Sequence, residues 1–518
     1  MASVRHTLFT LLFLGIISSS PAIDKGFRLL FTSNRRSLRN HPVSFSKPRP
    51  PWLNGTYMRN GLGQFEMGSR TLNHIFDGFA KLSSFEFLNP NVTLFSTRFI
   101  KTNFFTESKS KDDIAPYLLF DSADPPFDTG EKFKSLMNGI DNTNINIFKF
   151  VDSRTNYSDY MAMSDFWQTY KINPYSLKTY GRLNPEVPGG DPPFGSMLPV
   201  PSTSHPVPEF GTKNHISFVS VMNPLPFFDS MIRIIRIRNS NARDLISEIP
   251  IGQIPYMHSF GLSQRYAIIL AAPVYISNFK MVRTAQPVES LEWHPDEPMT
   301  VYVVNIKTGE YQTLETMAVF PMHHINSYEE GDNIITDFVT YPDLEFIRSL
   351  EVKTLERRRL RDAIKINSRL MRFTINLKKK SVKPSTFRSA PGKEFINSMD
   401  MPVINENYRH KKYCFTYGIT LKSDYKNLAN SSLMKKDLCD ANDMAWQQEN
   451  HYPSEPWFIP APDAKAEDDG VLLSVVLDGN VKKSYLGIWN ATTMEPMDKG
   501  YLPFFIPFSL HGRYFEDL

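Results

Sequence analysis

Apolar and polar positions alternate over four to eight residues along most of the chain, then break at Gly, Pro, Asn or Asp. A period of two turns one face of a segment inward and the other outward, the mark of a half-buried strand. This pattern predicts strands at Ala80–Leu88, Thr93–Ile100, Asn144–Phe150, Ile216–Val221, Ile232–Arg238, Tyr266–Ala271, Thr300–Ile306, Ile334–Val339, Lys412–Thr420, Val471–Leu477 and Lys483–Trp489. Several of the turns between them carry Asp-Gly or Gly-Asn. Many short strands without intervening helices predict an all-β fold: a sandwich, a barrel or a propeller. No Trp-Asp or other repeat signature selects among these. Helical spacing is sustained in one long stretch, Asp343–Arg369, where Leu344, Ile347, Leu350, Leu355, Leu360 and Ile364 recur.

Composition sharpens the domain count. A length of 518 residues admits two to four domains, but 38 Pro and 25 Gly among β-branched and aromatic runs favour one large all-β domain over residues 51–518. Residues 23–50 are basic, Pro-rich and without period, which predicts an extended N-terminal arm. Residues 1–22 read as a signal peptide: Arg5, then apolar Leu8–Ile17, then small residues at Ser20 and Ala22. Ten apolar residues are too few to span a bilayer comfortably. The expected location is therefore the secretory pathway, in the endoplasmic reticulum lumen or secreted. Asn54, Asn91, Asn156, Asn430 and Asn490 then become candidate glycan sites, although burial in its tight Gly-rich stretch would keep Asn54 unmodified. Cys414 and Cys439 allow one disulfide in an oxidising lumen, far from a disulfide scaffold. A net charge of +4 is no nucleic-acid signature.

Candidate chemistry centres on Phe320-Pro-Met-His323-His324, at the end of an apolar run and before an acidic turn. On a strand, neighbouring residues face opposite ways, so only one of the two histidines can address a given centre. His205, His258 and His511 share the setting of His323, a strand end beside Pro, Gly or Ser. The successive intervals are 53, 65 and 188 residues, which no local metal motif has. They suit a closed β-array whose separate elements each lend one side chain to an axis. His74 precedes a turn, where a bond to backbone or carboxylate is the expected role. Trp52–Gly63 reads as a strand entering a Gly-rich turn with positive φ; no Lys-Ser/Thr follows, which excludes a phosphate loop.

Two surface features bear on partners. Arg357, Arg358, Arg359 and Arg361, followed by Lys378–Lys380, form either a solvated basic face or a surface drawn to anionic lipid. Pro116–Phe120, Pro224–Phe228 and Val274–Phe279 are core by default, and as a shared exposed patch they would mark membrane docking or ligand entry.

The runs Trp52–Gly63, His74–Gly78, Ser204–Pro206, Tyr256–Leu262, His323–Glu329, Asp400–Asn405, Tyr452–Pro456, Glu467–Gly470 and Leu510–Gly512 span nearly the whole mature chain. In order and in kind they resemble the carotenoid cleavage oxygenases, of the animal branch with the β-carotene oxygenases and the isomerohydrolase of the retinal pigment epithelium. The resemblance implies a seven-bladed β-propeller, with a helical and loop cap over an axial metal site. It implies one Fe(2+) per chain held by His205, His258, His323 and His511, His323 being chosen over His324 by the register of Asn326 and Tyr328. Four neutral imidazoles suit a borderline transition metal and leave two octahedral positions open. The family's three supporting Glu correspond here to Glu455 and to two shorter acids, Asp165 and Asp400. Each Asp must approach by about 1 Å or bridge through water. Leu62 stands where the family usually has Pro, a difference expected to affect turn rigidity only.

The function so implied is a membrane-associated Fe(II) dioxygenase that takes a carotenoid and O2 and cleaves one conjugated double bond, with β-carotene to retinal as the leading reaction. Retinyl ester isomerohydrolysis is the first alternative; its relatives carry a Pro-Asp-Pro-Cys segment where this chain has Asp124-Pro-Pro-Phe127. The second is a non-catalytic carotenoid- or retinoid-binding protein, suggested by the two shortened acids.

Overall fold

The computed structural model describes residues 24–190, 200–222, 229–420 and 428–518. The expected signal peptide and the apolar Pro224–Phe228 lie outside them. Seven antiparallel sheets of four or five strands follow one another along the chain among the described residues. The first contains Leu38–Val43, Gly55–Gln64, Phe79–Asn89, Val92–Phe99 and, from the far end of the chain, Ser509–Phe515. The second runs from Asn146–Val151 to Thr179–Leu183, the third from Val207–Pro208 to Arg243–Ile251, and the fourth from Gly261–Leu262 to Tyr311–Thr316. The fifth runs from Phe320–Glu330 to Ser381–Thr386, the sixth from Asp400–Val403 to Met444–Trp446, and the seventh from His451–Pro453 to Pro496–Tyr501. The strands form because β-branched and aromatic residues recur on alternate positions. Their inward faces make the core, as with Ile232, Ile234, Ile249 and Leu262 in the third and fourth sheets.

Residues 24–50 are built into this body. Phe27–Phe31 is a short 3-10 helix with Phe27, Leu30 and Phe31 buried, and Leu38–Val43 is an edge strand paired with Val92–Phe99. The glycines near residue 60 act differently from expectation. Gly55–Gln64 is one continuous strand, and Gly61 and Gly63 do not take positive φ. A Cβ on Gly61 would lie 2.6 Å from Ser509 Cα, so glycine is required for close approach of the C-terminal strand. Leu62 is buried in the core and its N–H donates to Phe508 O, a bond that proline would lose.

The stretch Asp343–Arg369 is not one helix. It breaks into Glu345–Arg348, Val352–Glu356 and Arg358–Arg361, and ends as strand from Arg369. Backbone bonds to a neighbouring segment compete with the helical ladder: Ile75 N–H donates to Leu350 O, and Val352 N–H to Asn73 O. Nor is the arginine cluster one solvated face, because Arg361 is buried, paired with Asp24 and stacked over Phe27. Cys414 and Cys439 form a disulfide. Asn54 is exposed, as are Asn91 and Asn156. Among the described residues, no helix is long and apolar enough to cross a membrane.

Candidate metal centre

Four loops or strand ends bring one histidine each to a common point. His205 precedes the strand Val207–Pro208, and its N–H donates to Thr203 Oγ1 at 2.9 Å. The Thr203 hydroxyl in turn donates to His258 O at 2.6 Å, which fixes the next loop. Ser259 then reaches Met322 O at 2.7 Å and accepts from His324 N–H at 2.9 Å, holding the strand that carries His323. His511 lies on the C-terminal strand, its N–H bonded to Ile145 O at 3.1 Å. Asn146 donates to Ser204 O at 3.0 Å, linking the second sheet to the third. Around the point, each of the first four sheets is thus tied to its successor by a hydrogen bond.

The four histidines offer ligand atoms that all lie within 4.8 Å of one another. Nε2 of His258 stands 3.0 Å from Nε2 of His205 and 3.2 Å from Nε2 of His323. Three of the rings donate Nδ1–H to carboxylates: His258 to Asp165 at 2.6 Å, His323 to Asp400 at 2.6 Å and His511 to Glu455 at 2.7 Å. That bond fixes the tautomer and leaves a lone pair on each Nε2. Converging lone pairs repel unless a cation lies between them. Separations of 3.0 and 3.2 Å match adjacent nitrogens on an ion with bonds of about 2.1 Å. The residues therefore fit a divalent transition metal with imidazole preference.

Electrostatics agrees with neutral rings at His205 and His511 and with ionised carboxylates at Asp400 and Glu455. Burial, then the other three imidazoles, hold His205 well below the usual histidine range. Burial also lowers His511, partly offset by Glu455. At His323 burial is outweighed by the Asp400 charge, and the ring is raised. Burial would raise Asp400 and Glu455, but His323 with Tyr341, and His511 with Arg59, pull them below the carboxylate range.

Both aspartates reach their imidazoles directly, without the bridging water that a shorter arm allowed. Asp400 does so from a bulge: the register shifts between Asp400 and Val403, and Met401 takes φ 53°. Such an irregularity re-aims the side chain. Asp165 is pinned beside the His205 loop, its carbonyl accepting Ser202 N–H at 2.8 Å.

The remaining candidates fall elsewhere. His324 turns away and meets the Ser327 hydroxyl at 2.8 Å. His74 caps the 3-10 helix Ile75–Asp77 and bonds Ile347 O at 2.9 Å. Sequence reasoning missed Arg59, fully buried in strand Gly55–Gln64 and paired with Glu455 at 2.7 Å. Its signal was an arginine in a strand with no other charged residue. It also missed the tyrosines that touch Asp165 and Asp400, which nothing in the sequence distinguishes from core.

The centre lies between two unlike cavities. His258, His323 and His511 line an apolar cavity of about 170 Å3 walled by Phe76, Phe120, Tyr256 and Phe346. His205 instead faces a smaller polar cavity of about 80 Å3, with Arg409, Glu406 and Arg513 on its wall.

The family described as "Retinal pigment epithelial membrane protein" matches residues 45–516. The chain is 25% identical over 517 residues to the human "Beta,beta-carotene 15,15'-dioxygenase", covering 90% of this chain and 91% of that protein. It is 26% identical over 462 residues to the "Carotenoid isomerooxygenase" of Galleria mellonella, covering 83% of each. Among solved structures, cobalt-substituted apocarotenoid oxygenase (ACO) of Synechocystis superposes with a TM-score of 0.78 at 22% identity, over 94% of this chain and 98% of that one.

Proposed function

The chain belongs to the retinal pigment epithelial membrane protein family, that of the carotenoid cleavage oxygenases, and from that premise we propose that it is a non-haem Fe(II) dioxygenase cleaving one conjugated double bond of a carotenoid, β-carotene to retinal. The observation that carries this reading is the meeting of four imidazoles, three of them on the wall of an apolar cavity. His205, His258, His323 and His511 would hold one Fe(II), with Asp165, Asp400 and Glu455 orienting three of them. When bound, Fe(II) supplies binding and activation of O2. The chain's part is to bind a polyene along the wall of Phe76, Phe120, Tyr256 and Phe346, to exclude water from it, and to orient the imidazoles. The products are two carbonyl compounds, each receiving one oxygen atom of O2. Direct contacts at 2.6 Å from Asp165 and Asp400 favour the enzyme over a carrier with a slack metal site.

The seven sheets are read as blades of a propeller around this centre. Polar bonds running from sheet to sheet support that, down to Arg59 and Glu455, which join the first sheet to the seventh. The entrance is read at helices Thr129–Asn138 and Asn278–Thr284. Phe133, Met137, Phe279 and Val282 are exposed there, while Leu118 and Met281 beneath them line the cavity. Such a patch suits docking on a membrane surface, from which an insoluble substrate is drawn. The secretory pathway is the proposed location, supported by the disulfide and by the exposed sequons at Asn54, Asn91 and Asn156. Deleting residues 1–22 is expected to abolish glycosylation in a eukaryotic host, and glycans on the deleted form would refute it.

The decisive test is iron content of the purified chain, with β-carotene incubation products read by mass. About one iron per chain together with retinal supports the proposal. An apocarotenal would move the cleaved bond. One iron without a carotenoid product would redirect it to retinyl esters, and no iron after anaerobic Fe(II) loading would overturn it in favour of a carrier.

A further inference from the structure

The three carboxylates beside the imidazoles are held in different ways. Glu455 Oε2 accepts from Arg59 Nη1 at 2.7 Å and from Gly512 N–H at 2.9 Å, a charged brace within the protein body. Asp400 Oδ2 accepts instead from the Tyr341 hydroxyl at 2.6 Å, while Oδ1 takes His323 Nδ1–H at 2.6 Å and Met401 N–H at 2.7 Å. Asp165 is an intermediate case: Ser204 hydroxyl donates to Oδ1 at 3.0 Å, and the Tyr256 hydroxyl lies 3.4 Å from Oδ2.

Tyr341 ends the strand Asn333–Tyr341, whose neighbour carries His323, with Phe320 paired opposite Tyr341. Its ring is buried, stacks on Phe346 at 4.7 Å with planes 7° apart, and lines the apolar cavity. An aspartate that binds an imidazole through one oxygen is free to rotate about its short arm unless the other oxygen is also held. In a wall of aromatic carbon, Tyr341 supplies the donor that Oδ2 needs. The same side chain is thus wall on one side and brace on the other.

We propose that Tyr341 is a positioning residue of the metal centre: its hydroxyl locks the Asp400 carboxylate, and through it the plane and tautomer of His323. This rests on the four histidines holding a metal. Tyr256 does the same for Asp165 and His258 more weakly, across its longer contact. The shorter acids of this chain are in this way steadied by neutral hydroxyls from the substrate wall, where Glu455 is steadied by a charge.

Tyr341→Phe removes the hydroxyl and keeps the ring and its stack. The full chain is loaded with Co(II) as probe, and the dissociation constant and visible ligand-field bands are recorded. Tyr413→Phe is the control, because Tyr413 is also buried and donates to an aspartate, Asp337 at 2.8 Å, away from the centre. The expected result is a dissociation constant weakened about tenfold with shifted bands for Tyr341→Phe, a smaller change in the same sense for Tyr256→Phe, and wild-type values for Tyr413→Phe. Both lost bonds can lower Tm, but only loss of positioning moves the Co(II) spectrum. Wild-type affinity and bands in Tyr341→Phe would overturn the inference while leaving the metal centre standing. Failure of the wild-type chain itself to take up Co(II) or Fe(II) would overturn the metal centre, and the inference with it. Should Tyr341→Phe not fold, Tyr256→Phe decides: an unchanged spectrum there overturns the role of hydroxyl bracing.

Discussion

Glu455 and Asp400 perform the same task on two imidazoles of one centre, and the protein supports them by different physics. Glu455 forms a fully buried ion pair with Arg59, and the Arg59 guanidinium also bonds the carbonyls of Ser509 and Leu510. A buried pair is costly to break from one side because the other charge is then stranded. Among the described residues, no Lys or Arg pairs with Asp400; besides His323, its partners are a phenol and a backbone N–H. Its support can be changed in small steps without leaving a buried charge alone. One side of the centre is tied to the stability of the fold, and the other is open to adjustment.

The two supports are expected to respond differently to substitution. Replacing His205, His258, His323 or His511 by Ala is expected to abolish stoichiometric iron and iron-dependent turnover, measured by metal analysis and product mass; a variant with near-normal rate leaves the set. Arg59→Ala should act on the fold first, destabilising it by about 3–5 kcal/mol in chemical denaturation because Glu455 is left buried and unpaired. Asp400→Asn should instead weaken iron affinity about 10–100-fold with a smaller loss of stability, read by competition with a chelator. If Arg59→Ala and Asp400→Asn gave the same ratio of the two effects, the distinction between the supports would fail.

Smaller effects are expected at Asp165 and His324. Asp165 and Asp400 already touch their imidazoles, so an added methylene finds no gap. Asp165→Glu should therefore cost about 1–3 kcal/mol by overpacking and lower iron retention. Improved retention would mean that the His205 loop yields. His324→Ala should keep its iron and lose about 1 kcal/mol with the Ser327 bond, seen as a modest drop in Tm.

How far the sequence carries these conclusions depends on the kind of residue. The strands were legible because alternation is a local signal, and so was the opposition of His323 and His324. The length of helix after Asp343 was not, because the backbone of Leu350 and Val352 is claimed by Asn73 and Ile75, far away in the chain. Asp165 and Asp400 became candidates only through family resemblance, since an isolated acid beside a turn looks like surface. Their reach was hidden altogether: it depends on a bulge at Met401 and a loop bond at Ser202, and both are products of packing. Tyr341 left no trace because its hydroxyl, which matters, and its ring, which looks like core, are one residue.

The pairing of Ser509–Phe515 with Gly55–Gln64 has a consequence in time. Three of the four histidines leave the ribosome long before His511 does. Until then the first sheet lacks its fifth strand, Arg59 has neither the Ser509 nor the Leu510 carbonyl, and the nitrogen set is one short. A nascent chain of this protein can be mostly folded and still have no complete site to fill. On the proposed function, metal uptake is then a late step of biogenesis, and a chain stopped short of residue 509 is unable to reach it.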